Sequence, residues 1–78
     1  MEIKDKVVVI TGANGGIGSA IARKLDKEGC FLVLAARTIE SLTDLKKDLK
    51  TNYLEVEMDV ANSKSVSDAF TTILKKVE

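Results

Sequence analysis

The sequence predicts an α/β fold: a β-α-β-α-β-α run making one half of a doubly wound parallel sheet with strand order 3-2-1. Three observations carry this. Val7–Ile10 and Phe31–Ala36 are unbroken apolar runs, as in strands buried on both faces. Between and after them, apolar residues recur at helical spacing. A third strand-like segment alternates apolar with acidic residues, the mark of a sheet margin.

In chain order, Val7-Val8-Val9-Ile10 is β-branched throughout and forms the first strand. Ile17, Ile21 and Leu25, with Ala22 beside them, give the first helix an apolar face, and Gly29 ends it. Phe31-Leu32-Val33-Leu34-Ala35-Ala36 is the second strand. Ile39, Leu42, Leu45 and Leu49 then define a second amphipathic helix with Thr38 as its N-cap. Leu54, Val56 and Met58 alternate with Glu55, Glu57 and Asp59 in the third strand. Val66, Ala69, Phe70, Ile73, Leu74 and Val77 line the last helix, with Asn62 or Ser63 to cap it. Parallel strands need right-handed crossovers, and a half-buried third strand belongs at the margin. The order 3-2-1 is the first half of a 3-2-1-4-5-6 sheet.

Composition narrows the chemistry. The 78 residues have room for one domain, and Lys+Arg 12 against Asp+Glu 12 gives no electrostatic case for nucleic acid or an anionic membrane. With no histidine, imidazole catalysis is excluded. One cysteine, Cys30, can form no internal disulfide and, without imidazole, no zinc site; no metal is expected. No apolar run reaches the length of a membrane span, and MEIKDK does not resemble a secretory leader, so the expectation is a cytoplasmic protein with a reduced thiol. In the order 3-2-1 the Val-Val-Val-Ile strand is an open edge, although its sequence suits an interior position. Residues 1–78 are therefore expected to be a partial domain truncated from a longer chain, or one that pairs with a second chain through this edge.

The segment joining the first strand to the first helix is Thr11-Gly12-Ala13-Asn14-Gly15-Gly16-Ile17-Gly18. Glycines let backbone approach a ligand closely, and a helix beginning there aims free N–H groups and its positive dipole end into the loop. That arrangement suits a pyrophosphate, as in a Rossmann-type dinucleotide site. A phosphate-transfer loop of the G-x-x-x-x-G-K-[ST] type is excluded, since no Lys-Ser or Lys-Thr follows the last glycines. Asn14 either contacts ribose or phosphate or simply favours the turn.

Thr11, Gly12, Gly16 and Gly18 form T-G-x-x-x-G-x-G, which resembles the cofactor motif of the short-chain dehydrogenase/reductase family at the spacing of its ordinary-length members. The V-V-V-I-T-G entry, Gly-Ile-Gly and the Glu-Gly before the second strand are similar too. The resemblance runs from residue 6 to about residue 76. It implies that Gly12, Asn14, Gly16, Ile17 and Gly18 hold the cofactor. It also implies that Asp59 and Val60, at the end of the third strand, border an adenine pocket. Asp59 reads equally as one more polar residue on a wet strand face.

Folds of this kind place an acidic residue about 20 positions on, against the NAD ribose. Ala36 stands there and Arg37 follows, a guanidinium suited to a 2′-phosphate. NADP(H) is favoured over NAD. Gly15 holds the place where many NADP-using relatives carry a base, which leaves the 2′-phosphate to Arg37, Thr38 and loop backbone.

The family's chemistry uses a tyrosine with a lysine four residues later. The only tyrosine, Tyr53, is followed at that spacing by Glu57, so no catalytic residue is assigned and Tyr53 is read as packing. The resemblance implies the cofactor-binding portion of an oxidoreductase interconverting an alcohol and a ketone. The full-length enzyme would be a homo-oligomer, and the chain alone inactive. The alternative is a non-catalytic dinucleotide-binding module or redox sensor completed by a partner chain. A methyl-donor enzyme of similar fold would also want an acidic residue where Ala36 stands.

Overall fold

The computed structural model describes residues 4–50 and 52–77. Its elements are β1 (Val7–Thr11), α1 (Gly16–Asp26), β2 (Phe31–Ala36), a 3₁₀ turn (Ile39–Leu42) running into α2 (Thr43–Asp48), β3 (Tyr53–Glu57) and α3 (Ser63–Val77). The strands form one parallel sheet with β2 between β1 and β3, the expected order 3-2-1. Val7 stands beside Phe31 and Ile10 beside Leu34, while Val33 pairs with Leu54 and Ala35 with Val56.

Strand alternation decides which helix covers which face. Leu32, Leu34 and Ala36 of β2 share one face with Val8 and Ile10, and pack with Ala22 of α1, Leu42 and Leu45. Phe31, Val33 and Ala35 share the other with Val9, Leu54, Val56 and Met58, beneath Val66, Ala69 and Ile73 of α3. The apolar phase of β3 thus selects the α3 face, and its polar phase turns toward α2. There the half-buried Glu55 accepts a bond from Lys46 Nζ at 3.0 Å.

The helices differ from the sequence reading in detail. Ile17 and Ile21 were expected in the core, yet Ile17 is 81% exposed and Ile21 is also exposed. The reason is the row Gly18, Ala22 and Asp26, four residues apart, on the inner side of α1. Ala22 and Asp26 are buried, and Gly18 lies against the glycine-loop backbone, which turns the isoleucines to the flank. Asp26 ends the helix, and both its carboxylate oxygens accept the Lys50 N–H. Gly29, with φ +78°, lies beyond the C-cap Lys27 and closes the turn into β2.

The second helical segment begins as a 3₁₀ turn. Ser41 Oγ donates to the Thr38 carbonyl and Thr43 Oγ1 to the Glu40 carbonyl, and such hydroxyl bonds compete with regular helix. Thr38 occupies the N-cap position, but its side chain makes no capping bond. In α3, Asn62 is the cap, accepting the Ser65 N–H on Oδ1 at 3.1 Å. Phe70 and Leu74, expected in the core, lie on an exposed flank beside the buried Ala69 and Ile73. The side chain of Val77 lies outside the described residues.

Leu34 has no exposed surface, whereas Leu74 is 60% exposed. Truncating a buried leucine to alanine costs about 2–5 kcal/mol, most of the roughly 3–5 kcal/mol a core of this size supplies. Urea titration of Leu34→Ala is expected to show a largely unfolded chain, and Leu74→Ser to stay within about 0.5 kcal/mol of the parent.

Candidate functional site at the carboxyl edge of the sheet

Parallel strands bring all their carboxyl ends to one edge, about 4.8 Å apart from strand to strand. At that edge stand the loop after β1, then Arg37 and Thr38 after β2, and Met58, Asp59 and Val60 after β3. The residues singled out from sequence therefore share one rim.

The loop after β1 is fixed from within. Gly12 has φ +63°, a conformation other residues rarely adopt. Its carbonyl accepts the Gly15 N–H at 2.9 Å. Ala13 is fully buried and its N–H donates to the Ala35 carbonyl at 3.1 Å, prolonging the β1–β2 pairing by two residues beyond Thr11. Asn14 is exposed on the turn.

Gly15 is the N-cap of α1 and offers no side-chain cap. The first intrahelical bond runs from the Ser19 N–H to the Gly15 carbonyl at 2.9 Å. The amides of Gly16, Ile17 and Gly18 precede it and have no helical carbonyl to reach. The glycines divide the work. A Cβ on Gly18 would collide with the Gly12 carbonyl oxygen and stand 3.0 Å from the carbonyl carbon, so Gly18 seats the helix on the loop. A Cβ on Gly16 would meet nothing within 4 Å. The space over Gly16 is therefore open, and the start of α1, with its leading amides and positive dipole end, is the kind of place that suits an anion.

Beyond β2, the buried Ala36 is followed by the exposed Arg37 and Thr38. Among the described residues the Arg37 guanidinium has no carboxylate partner, unlike the other arginine, Arg23, which is paired with Asp48. The Thr38 carbonyl accepts both the N–H and the hydroxyl of Ser41.

Beyond β3, the Met58 N–H donates to the Ala36 carbonyl at 2.8 Å. Asp59 is half-buried: its Oδ1 accepts the Ala61 N–H at 3.0 Å, its carbonyl accepts the Asn62 N–H, and its own N–H donates to Ser65 Oγ at 2.9 Å. Val60 is 66% exposed. Ala13 and Ser65 were missed in the sequence. Ala13 reads as a filler between glycines, and Ser65 as one polar residue among several in a helix start.

A separate depression of about 460 Å³, lined by Asp5, Gly29, Cys30, Phe31, Lys50 and Asn52, lies at the opposite, amino edge of the sheet and contains none of these residues. Cys30 is buried there, with Sγ 3.4 Å from the Leu25 carbonyl, and burial pushes its thiol pKa up. Among the described residues no cluster of His, Cys, Asp or Glu could hold a metal ion, and no helix is long and apolar enough to cross a membrane.

The sequence pattern of the short chain dehydrogenase family matches residues 6–78. An uncharacterized oxidoreductase of Staphylococcus epidermidis is 36% identical over 73 residues, covering 94% of this chain and 32% of that protein. A metagenomic short-chain oxidoreductase solved in complex with NADP superposes with TM-score 0.87 at 32% identity, covering 97% of this chain and 36% of that one. A Burkholderia phymatum short chain dehydrogenase/reductase solved in complex with NAD gives 0.86 at 33% identity, covering 96% and 28%. The chain thus spans about a third of the length of these relatives.

Two outcomes follow from this geometry. Gly18→Ala must push α1 off the loop, and thermal melting should fall clearly, while Gly16→Ala should melt close to the parent. For Cys30, a pKa raised in the folded state means that its contribution to stability is full below the ordinary thiol pKa and is lost as pH climbs from there through the higher pKa of the folded chain. Iodoacetamide at pH 8 should accordingly label Cys30 slowly in the native chain and rapidly in urea.

Proposed function

The chain belongs to the short-chain dehydrogenase family of oxidoreductases, and from that premise we propose that it is the cofactor-binding portion of an NADP(H)-dependent enzyme interconverting an alcohol and a ketone. The observation that carries the cofactor choice is Arg37: an exposed guanidinium, without a carboxylate partner among the described residues, immediately past the buried Ala36, where an NAD site would hold an acid.

In this reading Gly12, Asn14, Gly16, Ile17 and Gly18 form the pyrophosphate cradle, with the amides at the start of α1 donating to phosphate oxygens. Arg37 and Thr38 receive the 2′-phosphate, Arg37 by a forked, charge-assisted contact. Asp59 and Val60 wall the base, Val60 offering apolar surface and Asp59 its second carboxylate oxygen. When bound, the nicotinamide ring would donate or accept the hydride. The acid–base tyrosine and lysine of such an enzyme would lie outside these residues.

We take residues 1–78 as a partial domain. α1 and α2 cover one face and carry the chain outward from β1 to β3, whereas α3 covers the other face. A right-handed crossover from that second face turns back toward the free edge of β1. A following strand there would cover the Val-Val-Val-Ile edge. The complete enzyme is proposed to be a cytoplasmic homo-oligomer acting on a small alcohol or ketone.

Calorimetric titration with adenosine 2′,5′-bisphosphate and with AMP tests the cofactor choice, because the two differ only in the 2′-phosphate. The bisphosphate should bind on the order of tenfold to a hundredfold more tightly, from a charge-assisted bond of roughly 1.5–3 kcal/mol. Arg37→Ala should erase the difference, and Gly16→Val should abolish binding of both without unfolding the chain. Equal affinities in the parent chain would overturn the NADP assignment.

A further inference from the structure

We propose that Ser65 is a positioning residue for the base-binding corner, acting through the backbone of Asp59; this rests on the dinucleotide reading above. The corner runs from Asp59 to Ser65 and is closed by its own hydrogen bonds. The Asp59 N–H donates to Ser65 Oγ at 2.9 Å, and the Ser65 N–H donates to Asn62 Oδ1 at 3.1 Å. Within the corner, Ala61 N–H donates to Asp59 Oδ1 at 3.0 Å and Asn62 N–H to the Asp59 carbonyl at 2.9 Å. Ser65 therefore joins the first turn of α3 to the residue that follows β3.

The consequence for Asp59 is directional. Its peptide is held on one side by Met58, whose N–H is anchored to the Ala36 carbonyl, and on the other by the Ser65 hydroxyl. With Oδ1 engaged by Ala61, the orientation of the second oxygen is set by that peptide. Among the described residues Oδ2 has no partner, and it is the oxygen left to accept from an amino group on a ligand. Val60, exposed between the two anchors, is carried by the same corner. Ser65 is half-buried, and its hydroxyl does the holding without lying among the residues assigned to the ligand. Released from Ser65, the Asp59 amide would turn to water and the carboxylate would lose its fixed heading.

The test compares two probes on the parent chain, Ser65→Ala and Ser65→Thr. Adenosine 2′,5′-bisphosphate reads the whole cradle, and inorganic pyrophosphate reads the glycine loop alone. Ser65→Ala is expected to weaken the bisphosphate about threefold to tenfold, the worth of one hydrogen bond, and to leave pyrophosphate unchanged. Ser65→Thr keeps the hydroxyl and should restore parental binding. Alanine is a good helix former, and a thermal melt of each variant checks that the fold persists. Parental bisphosphate affinity in Ser65→Ala overturns the inference, as does an equal loss for both probes or a failure of threonine to rescue. If the parent chain binds neither probe, the dinucleotide reading itself fails and the role of Ser65 falls with it.

Discussion

The structure hangs on the double pairing of β2. From Leu32 to Ala36 its side chains are buried, and its two faces found the two halves of the core. Its carboxyl end has a second duty. The Ala35 carbonyl accepts the Ala13 N–H from the glycine loop, and the Ala36 carbonyl accepts the Met58 N–H from the end of β3. Two consecutive peptides of one strand thus fix both walls of the candidate site. Alanine suits these positions because β2 is crowded on both faces there, with Ala13 and Leu42 on one side and Met58 on the other. A larger side chain would displace one wall or the other.

The loop is rigid where it touches protein and open where it does not. Gly12 turns, Gly18 allows contact, and Gly16 leaves space. Such a division explains why glycines cluster here at a conformational cost of roughly 0.5–1 kcal/mol each when they fall within regular structure. It also explains the absence of a side-chain cap at Gly15. A capping hydroxyl or carboxylate would occupy the amides that an incoming anion needs, and a carboxylate would repel it.

Much of this was legible in the sequence because the signals are local and strong. The apolar runs of β1 and β2 and the alternation of β3, set against the 3-2-1-4-5-6 pattern, point to the strand order. The glycine spacing located the turn between β1 and α1. What escaped was three-dimensional choice between similar residues. Periodicity offers α1 both an Ile17–Ile21–Leu25 row and a Gly18–Ala22–Asp26 row, and apolar weight favours the first. Close approach to the loop decides for the second, because only small residues let the helix sit there. Asp26 gave no warning, since a carboxylate at a helix end usually faces water, whereas this one is buried on the Lys50 amide. In α3 periodicity puts Ala69, Phe70, Ile73 and Leu74 on one broad apolar face, yet only Ala69 and Ile73 are buried against the sheet, while Phe70 and Leu74 fall to its exposed flank.

In a stretch of this length, stability and the binding of any ligand at the carboxyl edge would be closely coupled. A chain of this length buries only about 60% of its unfolded surface, and its core supplies roughly 3–5 kcal/mol. Val7, Phe70 and Leu74 remain exposed, so apolar surface that could add to the core does not. A ligand at 100 times its dissociation constant adds about 2.7 kcal/mol to the folded state, comparable to what the core itself provides. The elements that would hold such a ligand, at the ends of β1, β2 and β3, are also those that join the two halves of the core. Ordering the carboxyl edge around an anion would therefore reinforce the same β2 peptides that hold Ala13 and Met58 in place. The fold and its site are in this sense one hydrogen-bonded unit, with β2 as the part common to both.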